Sequence, residues 1–151
     1  MGRKSGKSAT KARTHLWTAA AVFGCALAIR FVYLHQVSKS PVFTLPLVDS
    51  NAYDAAAWQL ASQGTMHIQF FWQAFFYPMF LALVYAVIGH SIVAVKIIQA
   101  VLGSALCVLV YRLGVRVFDR RTALVAAGVA VLYGPLVFFD GELLAAGWAS
   151  L

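Results

Sequence analysis

Tyr77-Pro78-Met79-Phe80-Leu81-Ala82-Leu83-Val84-Tyr85-Ala86-Val87-Ile88 carries no charge, and whether it pierces a membrane or rests on one decides the fold. A helix of that length rises only about 18 Å, against a hydrocarbon core of about 30 Å. So short an apolar helix reads as interfacial or re-entrant, not spanning. Pro78 suits its first turn, where a missing N–H costs nothing, and Gly89 suits its end. Just upstream, Phe70, Phe71, Trp72, Phe75, Phe76 and Tyr77 form the kind of aromatic cluster found at headgroup depth.

The rest of the chain sets the class. Apolar residues make up 62% and charged residues 11%, with mean hydropathy +0.78. A soluble domain has about a quarter of its residues charged, so this chain has too little polar surface to face water all round. The expectation is an all-α, polytopic helical membrane protein with two interfacial helices in its first outer loop. Spans are expected at about 16–33, 92–113 and 123–139, with a fourth opening at 143. The surface helices are expected at about 51–63 and 77–88. Residues 1–15 read as a basic, disordered cytoplasmic tail, and 16–151 as the membrane domain.

Positive charge chooses between two topologies. Nine of the twelve Lys and Arg residues lie in two blocks: Arg3, Lys4, Lys7, Lys11 and Arg13, then Arg112, Arg116, Arg120 and Arg121. If residues 77–88 cross, a cytoplasmic tail places the arginine cluster outside, against the positive-inside rule. If they lie on the surface, both blocks are cytoplasmic and Lys39 is the one basic residue between Phe31 and His90. The second arrangement is expected, in a plasma membrane with the N-terminus inside. The blocks then act as topology signals and contacts with anionic lipid, not as a nucleic-acid surface, despite the net charge of +7.

Two local alternatives bear on the first span. Ala26-Leu27-Ala28 resembles a signal-peptide cleavage site, but apolar residues continue through Phe31, Val32, Tyr33 and Leu34, which favours an uncleaved anchor. Phe23 is too bulky for a lipoprotein box ending at Cys25. Cys25 and Cys107 fall inside spans with no metal spacing and read as inert thiols. In the first loop, Ser50-Asn51 starts an alanine-rich helix that Gly64 stops.

Of five carboxylates, Asp119 lies within the arginine block; Asp49, Asp54, Asp140 and Glu142 fall on the outer side of this topology. Asp49 precedes the first surface helix and Glu142 follows the third span. Facing each other over one cavity, Asp49 and Glu142 could hold a divalent cation, or one could serve as general base. Equally, both could be solvated acids where the chain leaves lipid. Lys96 and Arg30, near the outer ends of their spans, either snorkel to headgroups or hold a lipid phosphate. Gln99 lies one turn deeper than Lys96. His67 reads as a surface residue, and His15, His35 and His90 as boundary residues without signal. Gly103-Ser104-Ala105 permits close helix packing. No nucleotide-binding glycine loop, zinc motif or nucleophile elbow occurs.

In order along the chain stand Arg30 with Tyr33, Asp49 with Tyr53 and an alanine-rich helix to Gly64, then Tyr77-Pro78-Met79-Phe80-Leu81-Ala82-Leu83. Gly89, Gln99 with Gly103, and Tyr111-Arg112-Leu113 follow, then Val117-Phe118-Asp119-Arg120-Arg121. Leu132-Tyr133-Gly134-Pro135 runs into Phe138-Phe139-Asp140-Gly141-Glu142-Leu143-Leu144. This layout resembles the amino-terminal part of the C-superfamily (GT-C) membrane glycosyltransferases. That superfamily includes the protein O-mannosyltransferases and the aminoarabinose transferase of lipid A.

The resemblance implies two surface helices in the first outer loop and a polyprenyl-phosphate-linked sugar donor. It implies an acceptor that is protein, lipid or glycan. It also implies Asp49 as the acid that deprotonates the acceptor or contacts metal, and Glu142, with Asp140 as a substitute, as the second acid. Tyr53, Lys96, Arg30 and Gln99 are the candidate substrate-binding residues; Asp49 and Glu142 are the candidate ligands of a divalent metal. Two departures are plain: Phe75-Phe76-Tyr77 replaces the polar residues some members carry there, and Asp49-Ser50 replaces an Asp-Glu pair. Members are also longer, so the expectation is a fragment that is inactive alone. The rival expectation is a small, non-catalytic helical scaffold or partner subunit.

Overall fold

The computed structural model describes residues 3–40, 43, 49–65 and 76–143, with residues 3–12 and 49 described by their backbone alone. Every regular element among them is a helix: α1 (Arg3–Val37), α2 (Asp49–Gln63), α3 (Phe76–Ile88), α4 (Ile92–Val117), α5 (Arg120–Leu132) and α6 (Gly134–Asp140). Residues 13–37 of α1 and the whole of α4 are long and apolar enough to cross a membrane, and α5 with α6 makes a third candidate if the pair is one bent span. This is a helical membrane protein. His67, the aromatic cluster before Phe76 and the run beyond Leu143 lie outside the described residues.

Each boundary has a local cause. Ser91 caps α4 by accepting the amide N–H of Ala94 at 3.3 Å. Asp119 caps α5, its Oδ2 accepting the amide of Arg121 at 2.8 Å and that of Thr122 at 3.4 Å. Gly89, at φ +91°, ends α3 in the left-handed region and donates its N–H to the Tyr85 carbonyl at 2.9 Å.

Two elements differ from expectation. Residues 3–15, read as a disordered tail, continue α1. Once the apolar segment nucleates a helix, adding Lys, Ala and Arg at its end is cheap. The third apolar segment is not one straight helix. It breaks between Leu132 and Gly134 and bends by 52°. Pro135 lacks an N–H and its ring collides with the carbonyl four residues back, so the helix stops and restarts with proline in its first turn.

Helices α1, α4 and α5 pack as a bundle on small residues. Ala19, Ala123 and Ala127 surround the buried ring of Tyr111, while Ala26 and Cys107 meet Val131. Small side chains let helix backbones approach closely, which drives association in lipid where apolar surface has no water to escape. Helices α2 and α3 form a second layer: Tyr53 and Ala57 pack on Tyr77, Leu81, Ala82 and Tyr85, and this cluster docks on Val95 of α4 and on Leu143. The outward face of α3 leaves Phe76, Leu83 and Val87 exposed.

Candidate functional site

Where the second layer meets the bundle, polar side chains converge. Lys96, Gln99 and Gly103 share one face of α4 at helical spacing. Arg30 comes from α1, Asp140 ends α6, and Glu142 follows in the next turn.

Arg30 and Asp140 form a buried ion pair, Nε donating to Oδ2 at 2.7 Å with 1% and 10% of the side chains exposed. Arg30 Nη1 also donates to the Ala26 carbonyl at 3.3 Å, one turn back on α1. Its Nη2 is buried with no hydrogen-bond partner among the described residues. Gly103 makes room for the pair. A Cβ there would lie 2.1 Å from Asp140 Oδ2 and 2.6 Å from its Cγ, so only glycine fits while the carboxylate stays in place.

Gln99 ties three segments together. Its Nε2 donates to the Glu142 carbonyl at 3.3 Å and to the Tyr77 hydroxyl at 3.4 Å, while its Oε1 is buried and unpartnered among the described residues. Tyr77 is buried and meets Tyr53 edge-on, ring centroids 5.2 Å apart. Burial pushes the Tyr77 phenol well above its ordinary pKa; the Gln99 hydrogen bond pulls the other way, and nearby Tyr53, Glu142 and Asp54 push it further up. The hydroxyl therefore stays protonated and neutral. Lys96 is buried, donates to the Phe43 carbonyl at 3.0 Å and sits 4.2 Å over the Phe43 ring centroid.

The sequence-derived candidates thus fall into two sets. Arg30, Lys96, Gln99, Asp140 and the Glu142 backbone meet at one end of the bundle, with Tyr53 behind Tyr77. Asp49 opens α2, and its side chain lies outside the described atoms.

Residues 73–143 match the family model described as dolichyl-phosphate-mannose-protein mannosyltransferase. Over these residues the chain resembles the mannosyltransferases of the C superfamily. The match takes in Lys96, Gln99, Gly103, Asp140 and Glu142; Arg30, Asp49 and Tyr53 lie before it. No curated protein and no solved structure matches the chain. The apolar helices are those of an integral membrane protein, and the segment 73–143 is similar to that mannosyltransferase family.

Reading the sequence did not find a second polar cluster. Asp54 of α2 accepts a hydrogen bond from the Tyr85 hydroxyl of α3, and both its oxygens lie 3.0 Å from His90 Nε2. The His90 ring stacks on Trp58, centroids 4.8 Å apart. Burial first, then the bond to Asp54, pushes the Tyr85 phenol far above its ordinary pKa. These residues sit on three segments, so no spacing along the chain could join them. The one hint was an aspartate within an alanine-rich helix.

The resemblance also implies a metal, which calls for a donor set. Among the described residues no three His, Cys, Asp or Glu side chains gather as one would require. Asp140, the substitute acid, is already engaged by Arg30.

Proposed function

We propose that this chain takes part in glycosyl transfer at the outer face of the plasma membrane, from a polyprenyl-phosphate-linked sugar to an acceptor hydroxyl. The observation that carries the reading is the pair of buried polar atoms, Arg30 Nη2 and Gln99 Oε1, that have no hydrogen-bond partner among the described residues. A buried donor and acceptor left open cost free energy, and a polar ligand binding between them recovers it. The family resemblance of the segment holding Gln99, Asp140 and Glu142 supports the same reading.

In this reaction Asp49 takes the proton of the acceptor hydroxyl. The acceptor oxygen bonds to the anomeric carbon as the bond from that carbon to the phosphate oxygen breaks. The phosphate leaves with the electron pair. Arg30 and Lys96 stabilise the charge that develops on it, which is a major term in such transfers. Asp140 holds the Arg30 guanidinium in position, Glu142 orients the acceptor, and Tyr53 and Gln99 line the substrate. A divalent cation held by Asp49 and Glu142 is the metal-dependent version of this proposal, and chelation tests it separately.

The test is transfer from a radiolabelled polyprenyl-phosphate sugar in membranes containing the protein that carries this chain. Asp49→Asn is expected to lower the rate by about 100-fold or more, in the range of a lost general base. Unchanged transfer would remove Asp49 from that role. Unchanged transfer in Asp49→Asn with Glu142→Gln combined would favour a scaffold that binds a catalytic partner.

A further inference from the structure

We propose that the opposite end of the bundle holds a site for one anionic phospholipid, its acyl chain between α1 and α4 and its phosphate on Arg112 and Arg116. Two cavities lie side by side there. A groove of about 490 Å³ lies between the helices, lined by Ala20, Phe23, Ala105 and Leu109 among others. A pocket of about 310 Å³ lined by His15, Arg112 and Arg116 shares Leu16 and Arg112 with it. One cavity is apolar and the other cationic, in the order of a lipid tail and head.

Charge complementarity identifies the occupant. Neither α1 nor α4 carries an acidic residue. Arg112 and Arg116 lie four residues apart on one helix face, both exposed, and no ion pair among the described residues includes either. Like charges at that spacing repel, and a shared phosphate removes the repulsion. Asp119, the nearby acid, spends its oxygens on Arg121, Thr122 and the start of α5. His15 and the Tyr111 hydroxyl, 3.0 Å apart, give the pocket a polar floor. Trp17, two-thirds exposed beside them, is the residue type that settles at headgroup depth. A general attraction of basic residues for anionic membranes is spread over all of them. This site is confined to two.

The experiment uses the full chain in nanodiscs, scored by native mass spectrometry for retained dioleoyl-phosphatidylglycerol against dioleoyl-phosphatidylcholine. The wild type should retain the anionic lipid selectively. Arg112→Gln with Arg116→Gln should weaken that retention roughly 30-fold, at about fivefold per arginine. Lys4→Gln with Lys7→Gln removes equal charge and should leave it within about twofold. Ala105→Phe fills the groove with every charge in place and should also weaken it. Equal loss in the lysine pair would show diffuse attraction and overturn the site. So would full retention in Ala105→Phe, or displacement of the lipid by soluble glycerol phosphate, which has a head but no tail.

Discussion

Gly103→Ala adds a single methyl group to α4, and the geometry makes it costly. The new Cβ would lie 2.1 and 2.8 Å from the two carboxylate oxygens of Asp140. A flexible side chain could swing away, but this one is short and held by Arg30 at 2.7 Å. Moving it breaks a buried ion pair and leaves a guanidinium uncompensated, an effect of about 3–5 kcal/mol. Alanine in place of glycine favours the helix by about 1 kcal/mol. The net expectation is a loss of roughly 2–4 kcal/mol, the difference of these two effects. Reversible unfolding in mixed micelles measures it, beside Arg30→Met, Asp140→Leu and their double substitution. Each single change should destabilise strongly, and the double change should cost less than the sum, because neither charge is left alone. If Gly103→Ala is as stable as wild type, α4 and α6 do not approach as described. The ion-pair reasoning then fails with them.

Three further outcomes follow from the same chemistry. Tyr85 has a folded pKa raised above its unfolded value by burial and by its bond to Asp54, so its stabilising effect is full below about pH 10 and fades as pH rises toward the folded value. Ultraviolet titration should show tyrosines resistant to ionisation, Tyr77 and Tyr85 among them, and Tyr85→Phe should remove one; ordinary titration of every tyrosine would contradict this. Asp119 has a lowered pKa, through its bond to the Thr122 hydroxyl and then to the Arg121 amide. Its contribution is therefore present above the unfolded carboxylate value and is lost as pH falls through the folded one. Hydrogen exchange at the Arg121 and Thr122 amides should accelerate in Asp119→Ala and at low pH, with no change at Val131. For orientation, single cysteines at Ser50, Ser91 and Thr122 in a chain lacking Cys25 and Cys107 should label from outside, outside and inside. External labelling at Thr122 would reverse the proposed topology.

Composition and charge were legible without a structure because they act through the solvent. A chain with 11% charged residues cannot be solvated as a globule, and its longer apolar runs have the length of membrane-crossing helices. Boundaries were legible where glycine or proline makes them, as at Gly89 and Pro78, whereas the caps at Ser91 and Asp119 were found only in the structure. Arg30, Lys96 and Gln99 stood out because polar groups within an apolar helix need partners. Who those partners are was not written locally. Asp140 was read as a substitute for the second acid; its partner in the fold, Arg30, lies 110 residues away in sequence.

The sequence by itself thus determined that the chain is helical, lives in a membrane and carries its polar groups near the ends of its apolar segments. Those properties belong to each residue and its near neighbours. Only the tertiary structure decided that Gly103 opens a space for a carboxylate, that Asp54 joins Tyr85 and His90, and that the third apolar segment bends at Pro135. The first two are relations between distant segments, set by how closely the helix backbones pack. The bend has a local cause in Pro135, but its 52° angle is a relation between two helices that the sequence does not show.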